Sequence, residues 1–213
     1  MASVLSSSLR LCLLAVLTAG CAPGLSERAA IAACTADPTC LGQALRQGDL
    51  SRFSALLEAG LSGEAPDDDG DALVHLAAIH PDPRFLAVLL RRGVDPDTPN
   101  AVTGRTPLMS ALVFERDAQV DLLLAAGVDL NRTDRTGNTA LHVAAQINDP
   151  GKVMRLLEAG APVDVRNAQR QTFQRYLYMT RPGLLHRDAA EDLARVTDWL
   201  AARGQLDAPA AGR

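Results

Sequence analysis

Gly137-Asn138-Thr139-Ala140-Leu141-His142, followed downstream by Leu156-Leu157-Glu158-Ala159-Gly160, decides how this chain folds, because the same two landmarks recur along it. The first returns as Gly104-Arg105-Thr106-Pro107-Leu108-Met109 and as Gly70-Asp71-Ala72-Leu73-Val74-His75. The second returns as Leu123-Leu124-Ala125-Ala126-Gly127, Leu89-Leu90-Arg91-Arg92-Gly93 and Leu56-Leu57-Glu58-Ala59-Gly60. The closing glycines, Gly60, Gly93, Gly127 and Gly160, are 33, 34 and 33 residues apart. A fixed step of that size marks an array in which one supersecondary unit is stacked on the next. A degenerate further copy, Arg170-Gln171-Thr172-Phe173-Gln174-Arg175, has lost its glycine.

Each unit reads as two short helices and a polar connector. Thr106 and Thr139 supply hydroxyl N-caps, and Pro107 fits the first helical position, where a missing N–H goes unnoticed. Ala77, Ala111 and Ala144 leave room for a second helix to approach closely. That helix carries Val88, Leu89 and Leu90, then Val120, Leu122 and Leu123, then Val153, Leu156 and Leu157, at helical spacing. The closing glycines stop it in the left-handed conformation. The polar tracts 95–103, 129–136 and 164–169 are expected to form β-hairpin-like fingers.

No unit can bury its apolar face alone, so stacking supplies the stability and each end needs a cap. Residues 39–46 and 50–58, joined across Gly48-Asp49, are expected as the first helix pair. Residues 172–179 and 188–203 form the last pair, with an insertion around Arg181-Pro182-Gly183 between them and Trp199 sealing the final layer. Residues 205–213 are expected to fray.

These residues closely resemble the ankyrin repeat, whose signature G-x-T-P-L-H-x-A is followed by V-x-x-L-L-x-x-G-A-D. The resemblance covers residues 39–207 and implies an all-α repeat fold: an ankyrin solenoid of stacked helix-turn-helix units with short fingers. Its caps fall at about 39–66 and 167–207, behind a tether at 21–38 and ahead of a tail at 208–213. Ala72-Leu73 stands in place of Thr-Pro in the first full copy, and Met109 in place of His in the second. The resemblance gives His75 and His142 a structural role, their imidazoles bonding to neighbouring backbone.

It also implies protein binding through the finger tips and the exposed face of the inner helices. Carried onto this sequence, that surface comprises Asp68, Asp69, Asp71, Ile79 and His80, then Val102, Thr103, Arg105, Val113 and Phe114. Arg135, Thr136, Asn138, Gln146 and Ile147 follow, and then Gln169 and Gln171. Ile79, Val113, Phe114 and Ile147 are apolar where exposure is expected, which suits the desolvated centre of an interface, with Arg105 and Arg135 as further anchors.

Composition narrows the partner. With 21 basic against 25 acidic side chains and a formal charge of −4, the chain is no nucleic-acid binder. The cations are 20 Arg and a single Lys, Lys152, and aromatics make up only 3%, so the core is built from small aliphatic contacts between helices.

The first twenty residues read as an export signal. Arg10 precedes the apolar run 11–20, too short to span a bilayer core of roughly 30 Å. Leu17-Thr18-Ala19-Gly20-Cys21 resembles the lipobox of bacterial lipoproteins, Thr18 departing from the usual Leu, which implies lipidation at Cys21 and membrane attachment by acyl chains. Ala22 resembles the outer-membrane sorting pattern, which places the chain in the periplasm, on the inner face of the outer membrane. Cys34 and Cys40 then remain as an even pair in an oxidising compartment, and a disulfide between them is expected.

Chemistry is sparse. His80 and His186 are isolated, and neither an H-E-x-x-H pair nor a nucleophile elbow occurs, so no catalytic residue, cofactor or metal is assigned. Asp67-Asp68-Asp69-Gly70-Asp71 could supply oxygen ligands to calcium but lacks EF-hand spacing; it reads better as an acidic tip that steers a basic partner. The expected function is a monomeric, non-enzymatic binding module. The exported ankyrins it resembles include immunity proteins that occlude type VI secretion effectors of the lipase or phospholipase class. The alternative is an envelope scaffold in stress defence, of the kind linked to catalase.

Overall fold

A computed structural model describes residue 31 and residues 39–62, 67–179 and 186–207. The export signal, Cys21, Cys34 and the insertion at Arg181-Pro182-Gly183 lie outside the described residues. Ten helices, counted among the described residues, pair off in chain order. They are α1 Thr39–Arg46 and α2 Leu50–Glu58, α3 Leu73–Ile79 and α4 Arg84–Arg91, α5 Pro107–Val113 and α6 Asp117–Ala125, α7 Ala140–Gln146 and α8 Pro150–Glu158, and α9 Phe173–Leu177 and α10 Arg187–Ala201. The odd-numbered, shorter helices stack on one another as an inner layer, and the even-numbered ones cover them from outside. The architecture is an all-α solenoid.

Local chemistry sets the helix starts. Thr106 Oγ1 accepts from the Met109 N–H at 3.3 Å to open α5, with Pro107 in the first turn. Asp49 and Asp149 do the same for α2 and α8, each accepting the N–H three residues on at 2.9 Å. The outer helices end on glycines in the left-handed region, such as Gly127 at φ 76 and Gly160 at φ 90.

One continuous apolar spine runs through the layers. Phe53, Phe85 and Phe173 are fully buried, alongside Leu41, Leu56, Leu86, Leu89, Leu112, Leu123, Leu141 and Leu156. The Phe53 and Phe85 rings meet edge to face at 5.0 Å, tying α2 to α4. Each such side chain contributes about 1.5–3 kcal/mol on burial. Ala77, Ala111 and Ala144 have no exposed surface at all, as the close approach of paired helices requires. Outside, Lys152 of α8 pairs with Asp149 and reaches Asp117 of α6 at 3.4 Å, while Arg155 bonds both Asp117 and Asp121 of α6. Burial works against the Lys152 ammonium, yet its hydrogen bond to Asp149 and the charges of Asp149 and Asp117 hold it above the ordinary lysine range.

The fingers are tight hairpin-like turns with no strand among the described residues, each closed by a backbone bond across its tip, such as Asn100 N–H to the Arg105 carbonyl at 2.8 Å and Asp134 N–H to the Asn138 carbonyl at 2.9 Å, and by side-chain hydrogen bonds. Two expectations need correcting. Trp199 is only the outer part of the seal on the last layer: it is half-buried against the core under the Arg203 guanidinium at 3.9 Å, while Leu193, Val196 and Leu200 are buried. Residues 205–207 do not fray. Gln174 donates to the Gln205 carbonyl at 2.8 Å and accepts from the Asp207 N–H at 2.9 Å, and Thr172 donates to the Asp207 carboxylate.

Candidate partner-binding face

The finger row is a ladder of Asp and Asn side chains. Asp67, Asn100, Asp134 and Asn167 each turn a side-chain oxygen back onto the N–H groups of their own tip. Asn100 Oδ1 takes the Val102 and Thr103 N–H groups at 2.8 and 2.6 Å, and Asp134 Oδ1 takes those of Thr136 and Asn138 at 2.8 and 2.9 Å. Neighbouring fingers are joined by single backbone bonds: Ala101 N–H to the Gly70 carbonyl at 2.8 Å, Arg135 to Thr103 at 3.0 Å, and Ala168 to Thr136 at 2.9 Å. This crowding explains the fingertip glycines. A Cβ on Gly137, at φ 79, would stand 3.0 Å from the Ala168 backbone nitrogen. Arg170 occupies the matching place in the last described finger, at φ 61.

The histidines lock each tip to the inner helix behind it. His142 Nδ1 accepts from the Thr139 N–H at 3.3 Å and faces the Thr139 hydroxyl at 2.9 Å, while Nε2 lies 3.1 Å from the Gln171 carbonyl. Burial holds its pKa below the ordinary imidazole value. His75 makes the equivalent bond to the Arg105 carbonyl at 3.0 Å, but its buried Nδ1 has no partner, because Ala72 stands where Thr139 stands.

The expected contact residues divide into three groups. Val102, Arg105, Val113, Phe114, Asp68, Asp69, Gln146 and Gln169 are exposed, with Val102 and Phe114 more than half so, at 54% and 53%. Thr103, Arg135 and Thr136 are exposed but partly engaged, Thr103 donating to Asn100 at 3.0 Å, Arg135 to the Ala101 carbonyl at 2.6 Å and Thr136 to Asp134. Ile79, His80, Asp71, Gln171 and Ile147 are half-buried. Ile147 packs against the core, the His80 ring lies edge to face with Phe85 at 4.6 Å, and Asp71 accepts from Asn100 at 2.6 Å.

Asn138 is a correction. It is 9% exposed, donates to Thr136 at 2.8 Å and accepts from Asn167 at 2.9 Å, so it braces the finger row from inside. The acidic run is largely structural as well, since Asp67 and Asp71 spend their carboxylates on the finger, leaving Asp68 and Asp69 outward. Among the described residues no three His, Cys, Asp or Glu side chains are grouped to hold a metal, and no helix is long and apolar enough to cross a membrane.

Sequence reasoning missed two features. The Asp67–Asn100–Asp134–Asn167 ladder keeps the same 33, 34 and 33 step as the glycines, and that step was its signal. Met179, 64% exposed, and Tyr178 add exposed apolar surface at the end of the last inner helix, in the copy whose signature is most eroded.

Residues 74–167 match the family model of ankyrin repeats, in three copies. Over 94 residues the chain is 46% identical to Protein PhlB of Serratia liquefaciens, a match that takes in 44% of this chain and 41% of that one. It is 30% identical over 135 residues to Neurogenic locus notch homolog protein 1 of Xenopus tropicalis, 63% of this chain against 5% of that protein. It is 34% identical over 112 residues to the Nuclear factor NF-kappa-B p105 subunit of Gallus gallus, 48% against 11%. The matches cover less than half the length of each of these relatives, 41%, 5% and 11%. Ankyrin repeats are in general protein-interaction modules rather than enzymes, and the fold here is theirs.

Proposed function

We propose that this ankyrin-repeat chain is a non-enzymatic binding protein of the bacterial envelope that occludes a secreted toxic effector, such as a lipase, by gripping it between finger tips and inner helices. The observation that carries the reading is the exposure of Val102, Val113 and Phe114, all in one repeat, on a frame whose remaining large apolar side chains are mostly packed away. Single exposed apolar residues are ordinary, whereas several on one rigid face favour an interface. The match to a Serratia liquefaciens protein favours a bacterial setting. Lipid attachment at Cys21, residence on the inner face of the outer membrane and a Cys34–Cys40 disulfide belong to the same proposal. Burial of Cys40 in the first layer supports the last of these.

The test is co-expression with each toxin-like protein encoded by a neighbouring gene, together with copurification of the pair. Protection and a complex, both lost in Phe114→Ala combined with Arg105→Ala, are the expected result. A complex that forms unchanged with that variant places the interface elsewhere. Neither protection nor complex removes the inhibitor role, and peroxide sensitivity on deletion would then favour the stress-defence scaffold.

A further inference from the structure

Charge is unevenly distributed along the finger row. The first finger presents Asp68 and Asp69 outward, and the next three present Arg105, Arg135 and Arg170. Three layer steps of about 10 Å put the acidic tip roughly 30 Å from the last arginine, well beyond the screening length of about 8–10 Å. A partner therefore meets two separate fields. The inner helix behind the second of these fingers ends on exposed Val113 and Phe114.

The arginines are also held for use. Arg135 gives one N–H to the Ala101 carbonyl, which fixes its guanidinium across the second finger while leaving further donors outward. Arg105 and Arg170 have no side-chain ion pair among the described residues. Arg170 adopts the left-handed conformation at φ 61, where Gly70, Gly104 and Gly137 serve the other fingers, so a charged side chain is displayed there at a conformational cost.

We infer that the partner is a protein whose docking surface has an apolar centre, carboxylates over Arg105, Arg135 and Arg170, and a basic group over Asp68 and Asp69. It is thereby held in one direction along the groove. This rests on the binding role proposed above. Guanidinium forks pair with carboxylates in bidentate fashion, and the opposed fields penalise the reversed orientation. The acidic first finger works against an anionic membrane as the occupant.

The experiment uses two probe peptides of equal composition, each with leucine and phenylalanine in the middle and a nitroxide at its amino end. One carries glutamates at the amino end and lysines at the carboxyl end, and the other has these exchanged. Amide spectra of the full chain are recorded with each. The first peptide is expected to bleach residues 168–170, and the second residues 68–70. Charge exchange in the protein, Asp68→Lys and Asp69→Lys with Arg105→Glu and Arg170→Glu, is expected to swap the two patterns. Bleaching of both ends by each peptide, absence of binding, or binding to vesicles of anionic phospholipid in preference to peptide overturns the inference. Undirected binding that still needs Phe114 leaves the groove as the binding face. Bleaching confined to the outer helices overturns that reading as well.

Discussion

Ala72→Thr is expected to stabilise the chain, because it supplies a hydroxyl to a buried ring nitrogen that has no partner. At the third full copy, Thr139 presents its hydroxyl to His142 Nδ1 at 2.9 Å. At the first, His75 is fully buried and its Nδ1 has no partner. The backbone is already suitable, with Ala72 at φ −71 and ψ 161 against −83 and 172 for Thr139. Space exists too, since Ala72, Leu73 and Val74 line an open cleft between the first two layers. A hydroxyl N-cap in place of Ala contributes about 1 kcal/mol, and satisfying a buried orphan nitrogen about another. At roughly 2–4 °C per kcal/mol for a domain of this size, the gain is about 4–8 °C in Tm. Thermal unfolding followed by circular dichroism at the helix band reads it directly. Ala72→Val, equal in shape but without the hydroxyl, separates hydrogen bonding from packing. If Val raises Tm as much as Thr, or Thr raises it not at all, the role assigned to the threonine–histidine pair is wrong.

Gly137→Ala is expected to cost about 2 kcal/mol or more, since it strains a left-handed residue and presses on the Ala168 backbone; Arg170→Gly, relieving strain, should gain about 1 kcal/mol in denaturant titrations. Acidification should destabilise the chain through His142. Its folded pKa lies below the unfolded value near 6.5, so its contribution is intact above that pH and is lost as pH falls through the folded value. His142→Gln should flatten the dependence of Tm on pH in that window. Lys152→Met should cost about 1–3 kcal/mol, leaving Asp149 and Asp117 without their ammonium, and the loss should shrink in Asp149→Asn backgrounds when the four variants are compared in a double-mutant cycle.

The fold was legible wherever a residue type has one dominant physical use. Glycine after Leu-Leu stops a helix, threonine before Pro107 starts one, and Gly48-Asp49 separates α1 from α2 at the expected bounds. The finger interiors were less legible because a polar tract does not say which of its side chains turn inward to close the tip. Asn138 looked like a contact residue from its place in the motif. Only the distance to Asn167, a residue 29 positions away, shows that it is spent inside the row. Gln174 and Asp207 escaped notice for the same reason, since a clamp on a terminus has no periodicity. Tyr178 and Met179 fell in the copy with the least signature to align.

Lys152 carries the chain's one ε-amino group, and the structure buries it to 9% exposure between carboxylates. Apart from the amino terminus, acylating esters, aldehydes and other reagents that need a free nucleophilic nitrogen will find almost nothing to attack. Covalent trapping of a bound partner should therefore begin from carboxyl-activating or photoreactive chemistry. The guanidinium groups that supply every other cation keep their charge far into alkaline solution, so titrating the medium upward will not loosen a grip that depends on them.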